Sequence, residues 1–339
     1  MDLITGATGF IGRHLTERLI GAGHPLRLFC RPESIRKLPP LPEESVEIFR
    51  GDLCERDYVE QALQGVERVF HCAGHVLDWG SKGKFDATNV QGTQWLLEAA
   101  GTQRVKRFVH LSSIAVFGIP SPAYFDDDTP HNPGRDHYSR TKAESEVLAF
   151  REFRENGLPV VVLRPSVVYG PYSGWVEEPI RMIRENRMFL IGGGSGSCHP
   201  CHIDNLIDAM LLASEHPNAV GRGFNVSDGQ STTFKDYFGQ LARIVGSKPL
   251  ARSIPVPVAR FIASILETAH KVIRLEGRPL LTHSAIDLIA TRSVMASDGI
   301  RKELGFEPKV SLEEGMDLLK QWLETSGERA SSEKESDVQ

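Results

Sequence analysis

Short apolar runs separated by amphipathic stretches fill the first half of the chain. Six of these runs, at 3–5, 26–30, 46–49, 68–72, 108–111 and 159–163, carry few polar positions. Runs of that length and texture predict strands buried on both faces. Between them, at 11–22, 57–63, 86–100 and 141–156, apolar residues recur at helical spacing. Repeated strand–helix–strand units predict an α/β fold built on a doubly wound parallel sheet. No fixed-period repeat is visible, so a solenoid is excluded.

After Pro165 the texture changes. Glycine and proline cluster at 170–174 and again at 192–196, and helical patterns follow at 257–275, 285–290 and 312–324. One short apolar run, 223–226, predicts a strand that returns to the sheet. The expected division is a sheet domain over 1–170, a smaller, interleaved and mainly helical region over 171–325, and a polar tail over 326–339. That tail lacks apolar periodicity and reads as disordered. Ligands of such folds sit beyond the carboxyl ends of the strands.

Composition narrows the classes of partner. At ~150 residues per domain, 339 residues suggest about two domains, and a 40% hydrophobic content suffices for a sizeable core. Thirty-nine basic and 44 acidic residues are scattered and leave a net charge of -5, which argues against a nucleic-acid partner. The five cysteines, an odd number, fit a reducing, cytoplasmic setting rather than a disulfide framework. The first residues show neither a basic region nor a long apolar one, so no secretory signal is expected. No stretch reaches ~18 apolar residues, so no membrane-spanning helix is expected. The apolar segment 256–275, flanked by Arg260, Glu267 and Lys271, suits packing on the core or over a substrate pocket. Peripheral membrane contact is the sharper alternative for it.

The chemistry begins at Gly6-Ala7-Thr8-Gly9-Phe10-Ile11-Gly12, between the first strand and the first helix. Two glycines there permit a tight turn and close approach of a pyrophosphate, and the third lets helix meet strand. The helix N-terminus offers unpaired N–H groups to the phosphates. A carboxylate at the end of the second strand would mark NAD, but this strand ends Cys30-Arg31-Pro32. Arg31 suits a ribose 2′-phosphate, which favours NADP(H). Glu33 keeps NAD(H) open.

Tyr138 and Lys142 lie four residues apart, hence on one helix face, and Ser112-Ser113 follow the fifth apolar run. A tyrosine phenol at pKa ~10 is too weak an acid for proton transfer near neutrality. A neighbouring ammonium is expected to lower that value. Tyr138 then exchanges a proton with an alcohol or ketone oxygen that Ser113 holds by a hydrogen bond. Other readings remain: a sugar-nucleotide epimerase that keeps its cofactor, or a sensor that retains only the cofactor fold. A sensor has no need of Ser113, Tyr138 and Lys142 together.

In their order the motifs resemble the extended short-chain dehydrogenase/reductases. They are 6–12, Gly51-Asp52-Leu53, Phe70-His71-Cys72-Ala73-Gly74, Asn89-Val90-Gln91-Gly92-Thr93, Ser112-Ser113, 138–142 and 163–171. The resemblance implies that Asp52 and Leu53 contact the adenine and that Ala73 and Gly74 line the cofactor. It implies that Pro165 and Val168 border the nicotinamide, and that Asn89 supports the active-site helix. It also implies that Lys142 holds the nicotinamide ribose. A homodimer through the helices at 86–100 and 139–156 is implied as well. Within the family, Asp78-Trp79-Gly80-Ser81, 138–143 with Glu146, 254–257 and 276–282 look like the 3β-hydroxysteroid dehydrogenase and β-keto-acid reductase branch. Leu280 departs from it, since a second proline is common there. The implied substrate is a small apolar molecule with a secondary alcohol or ketone. A 4,6-dehydratase is disfavoured because Ile114-Ala115 stand where an acidic pair is expected.

Cys198-His199-Pro200-Cys201-His202 has the spacing of a haem-attachment or zinc sequence. Haem attachment needs export, and four closed zinc ligands are not readily drawn from so short a run. No metal is expected.

Overall fold

The computed structural model describes the backbone of residues 1–336 apart from Arg135, Arg274 and Glu276, with side chains up to 325. Seven strands form the central sheet: β1 (Asp2–Thr5), β2 (Leu26–Cys30), β3 (Val46–Arg50), β4 (Arg68–His71), β5 (Arg107–Leu111), β6 (Val160–Pro165) and β7 (Gly223–Val226). Their order is β7-β6-β5-β4-β1-β2-β3, and every pairing is parallel. The chain turns one way from β1 to β2 and the other way to β4. The crevice at that switch, beyond the strand ends, is where ligands of such sheets bind.

Besides one short turn, Lys82–Phe85, the α-helices are α1 (Phe10–Gly21), α2 (Arg56–Ala62), α3 (Thr93–Thr102), α4 (His137–Asn156), α5 (Gly174–Arg184), α6 (Ile203–Glu215), α7 (Phe234–Ile244), α8 (Val256–Ile273), α9 (His283–Ala290), α10 (Gly299–Leu304) and α11 (Leu312–Ser336). Alternation along the strands builds two cores at once. Ile4, Leu28, Phe70, Val109 and Val161 face Leu15 and Leu19 of α1 and Leu206 and Met210 of α6. Leu3, Val69, Phe108, Val160 and Val162 face the other way, onto α2, α3 and Ala149 of α4. A third core gathers Tyr169, Phe234, Tyr237 and Leu319, and a fourth joins α8 to α9 through Ala259, Ala263 and Ile286.

The sequence pattern and the structure part at several places. β3 is an edge strand, and only its first residue is buried, because nothing pairs with its outer side. The expected helix at 86–100 opens instead as a π-helical stretch, Asp86–Gly92, before α3 begins. Such wide turns are frequent at functional sites. α4 starts at His137 rather than at residue 141, since Asp136 caps it by accepting the Ser139 N–H at 2.8 Å. α6 lies on the sheet although it falls within 171–325, so the second region gives the sheet a helix as well as β7. α5 and α7 escape the sequence reading. α11 runs on past Ser326, where the polar tail is expected to begin, and no proline interrupts it. Residues 337–339 lie outside the described ones. Among the described residues no helix is long and apolar enough to cross a membrane.

Candidate active site

β1 passes into α1 through the glycine loop. Gly6 has φ +74, and a Cβ on it would come within 2.7 Å of the Ala73 nitrogen. A Cβ on Gly12 would overlap the Gly6 carbonyl oxygen. Only glycine fits either position, and Ala73 is thereby pressed against the loop. α1 opens on Gly9 with no side-chain cap, so its first N–H groups are not taken by a capping side chain. Thr8, Phe10 and Ile11 are half-buried around that opening. Close backbone, free donors and a helix dipole make a cradle that fits a dinucleotide pyrophosphate.

At the other end of this crevice, Arg31 follows β2 directly, with its side chain 58% exposed and its Nε 3.4 Å from a Glu33 carboxylate oxygen. One oxygen of Asp52 accepts the Cys54 N–H at 2.9 Å and closes its loop. Leu53 is buried, and a Cβ on Gly92 would meet it at 3.0 Å.

The residues expected to carry the reaction converge beyond β4 and β5. Lys142 is buried and donates to the Leu111 carbonyl at 2.6 Å. Burial lowers its pKa to about 8, against the opposing pull of Glu146. A Cβ on Gly74 would lie 3.7 Å from the Lys142 Nζ and 3.5 Å from the Asn89 Oδ1. Asn89, on the π-helical stretch, accepts the His75 N–H at 2.7 Å and donates to the His75 carbonyl at 3.1 Å. It also donates to the Thr141 hydroxyl at 3.0 Å, which ties the loop after β4 to α4.

Tyr138 is half-buried in the first turn of α4. Burial pushes its phenol above the usual value, a hydrogen bond with Ser113 draws it part of the way back, and Asp136 adds to the rise. The expected lowering by Lys142 is therefore absent from this balance. That ammonium is engaged by the Leu111 carbonyl. Ser113 caps the following turn by accepting the Ala115 N–H at 3.2 Å, and the Ser112 hydroxyl is buried without a partner among the described residues. Pro165 ends β6 beside Val226, and Val168 packs into the core that contains Ala7.

Sequence reasoning did not assign the supports beneath this site. His71 bonds the Thr5 hydroxyl at 2.7 Å and the Thr93 hydroxyl at 2.8 Å, so it ties the end of β1 to the start of α3. Burial, then Lys142, lowers its pKa to about 3, which keeps the ring neutral. A polar ring inside an apolar strand was the available signal. Burial pushes Glu146 up, but His131 and Arg164 outweigh it and hold the carboxylate below its usual range. Arg164 reaches it with three contacts of 2.8 to 3.0 Å, next to Pro165.

The cysteine–histidine run has ordinary duties. Cys198 and Cys201 are buried, and burial raises both thiols. His199 packs edge-on against Phe125, and His202 caps α6. All five cysteines are free.

Residues 3–227 match the NAD dependent epimerase/dehydratase family. A 2-alkyl-3-oxoalkanoate reductase of Stenotrophomonas maltophilia is 31% identical over 94% of this chain and 98% of its own length. A 3beta-hydroxysteroid-dehydrogenase/decarboxylase of Arabidopsis thaliana is 28% identical over 93% of this chain and 77% of its own. Among solved structures, the UDP-glucose 4-epimerase of Thermotoga maritima with UDP-glucose superposes with a TM-score of 0.77. It is 24% identical, with 96% of this chain and 99% of that one covered, and at that identity the likeness is one of fold.

Proposed function

The chain belongs to the NAD dependent epimerase/dehydratase family, and from that premise we propose an oxidoreductase that interconverts a secondary alcohol and a ketone on an apolar substrate. The observation that carries the reading is the convergence of Ser113, Tyr138 and Lys142 beyond β5, with Gly74 and Asn89 beside the lysine. A 3-oxo acid is the substrate class we favour, in line with the 2-alkyl-3-oxoalkanoate reductase that the chain resembles over nearly its whole length.

In this reading the glycine loop holds the pyrophosphate, Tyr138 and Lys142 hold the nicotinamide ribose, and Pro165 and Val168 border the nicotinamide. The bound nicotinamide supplies the hydride in reduction and takes it up in oxidation. Ser113 donates a hydrogen bond to the ketone oxygen. Tyr138 delivers its proton to that oxygen as negative charge develops there. The hydrogen bond with Ser113 is the contact that favours the phenolate left behind, while the Lys142 ammonium stays on the Leu111 carbonyl. Arg31 pairs with a 2′-phosphate in place of Glu33, which favours NADPH. The free thiols suit a reducing, cytoplasmic setting.

The test is a substrate screen on purified protein, with NADPH absorbance as the readout. Consumption of added NADPH with a 3-oxo acid or 3-ketosteroid supports the reading. Cofactor that stays bound, with turnover only of nucleotide sugars, would establish the epimerase instead.

A further inference from the structure

Nine of the sixteen exposed large apolar side chains among the described residues fall within 76–77 and 258–280. Apolar residues scattered singly over a surface need no account, but a concentration of this kind does. On α8 they keep helical register. Ala259 and Ala263 face inward onto α9 and Ile191, while Val258, Phe261, Ile265 and Val272 line the opposite face. Phe261 is 68% exposed and Val272 75%, so no described residue covers either.

Charge is sorted around this stripe. Arg260 and Lys271 project along one edge of it, and Arg260 is anchored by Asp287 at 2.6 Å. Glu267, the one acid of α8, is drawn inward, where it accepts the His283 N–H at 2.8 Å and pairs with the His283 ring at 3.2 Å. Asp78 is occupied by Arg278 and Thr282. Among the described residues the exposed stripe thus has no acid on its face, and its edge carries Lys271 and the Asp287-paired Arg260.

The stripe is joined to the site. The Lys271 Nζ lies 5.5 Å from the centre of the Trp79 ring, and the His270 ring meets the same indole at 6.0 Å. That loop starts at Gly74 and His75, beside Asn89 and Lys142, and carries exposed Val76 and Leu77. Leu280 is exposed on the segment that Asp78 fastens.

We propose that α8, with the loops carrying Leu77 and Leu280, docks the protein on an anionic lipid bilayer surface. A helix that buries one face in its own protein and presents a second apolar face with a basic edge has the make-up of an interfacial helix. Anionic headgroups complement Lys271, and acyl chains cover the stripe. The helix lies on the membrane rather than through it. Docking there sets the loop that leaves Gly74 against the lipid, where an apolar substrate can enter. The surface stands on exposure and charge alone and does not depend on the reaction proposed for Tyr138.

The test is sedimentation of the full-length protein with phosphatidylcholine vesicles, with and without phosphatidylglycerol. Wild type is expected to partition onto the phosphatidylglycerol vesicles and to be released by high salt. Phe261→Asp with Ile265→Asp should weaken partitioning by more than ~10-fold, with an unchanged melting temperature because both side chains are exposed. Lys271→Glu should weaken it on phosphatidylglycerol vesicles alone, by about 5-fold or more. Each variant should keep wild-type NADPH oxidation with a water-soluble ketone. Absence of wild-type binding, or binding that the variants leave intact, overturns the proposal. So does a light-scattering mass that the double variant halves, since a second copy would then cover the stripe.

Discussion

The ammonium of Lys142 donates to the backbone carbonyl of Leu111 at 2.6 Å, across from α4 to the end of β5. A buried cation is thereby held at the strand end from which Ser112 and Ser113 depart. It is compensated by a carbonyl dipole and, at longer range, by Glu146. Burial outweighs that compensation and lowers its pKa.

That pKa makes stability depend on pH. The unfolded chain keeps the lysine proton up to its ordinary value near 10.5, whereas the folded protein gives it up above about 8. Between these values unfolding takes up a proton, so raising the pH favours the fold. The cofactor-free protein should therefore gain stability relative to Lys142→Met as pH rises from about 8 towards 10. Melting temperatures of both proteins across that range check it, and parallel curves would contradict the assigned burial.

His71 should be a structural requirement of the cofactor cradle. His71→Leu removes both ring hydrogen bonds and leaves the Thr5 and Thr93 hydroxyls short of a partner in a buried place. Buried groups left unpaired cost ~1–3 kcal/mol each. Urea unfolding should show a loss of about 2–4 kcal/mol on that basis, and the KM for the cofactor should rise because Thr5 also receives the Ala73 N–H at 3.2 Å.

Arg31→Asp should reverse cofactor preference. The wild-type side chain is exposed and, among the described residues, pairs with Glu33 alone, at 3.4 Å, so it is available to a 2′-phosphate. Losing a charge-assisted bond of ~1.5–3 kcal/mol and placing a carboxylate there should weaken NADPH binding by at least ~10-fold. NADH binding should hold or improve. Titration of both proteins with both cofactors decides it, and equal weakening of the two would make Arg31 a solvated loop residue.

The sheet was readable because its strands are apolar on both faces and its helices keep a single period. β3 misled because an edge strand with Glu47 and Arg50 still begins with an apolar alternation. The π-helical stretch carries no composition of its own. Asn89 within it is bonded to the His75 backbone and to Thr141, contacts that residue type alone does not reveal. Spacing alone placed Tyr138 and Lys142 on one face. It could not tell that Lys142 would turn to Leu111, because a backbone carbonyl leaves no trace in residue type. The exposure of Phe261 and Ile265 likewise depends on which face of α8 meets α9, and both faces of that helix are apolar.

In the proposed reaction the Tyr138 phenol exchanges the proton with the substrate oxygen. Turnover of Tyr138→Phe against wild type, with NADPH and a 3-oxo substrate, tests it most directly. The ring and its packing are kept and only the phenol's bond to the ribose is lost, so cofactor affinity should fall far less than turnover. The rate should fall by about 100-fold or more, the usual contribution of a positioned acid. Near-normal turnover in that variant would contradict the account.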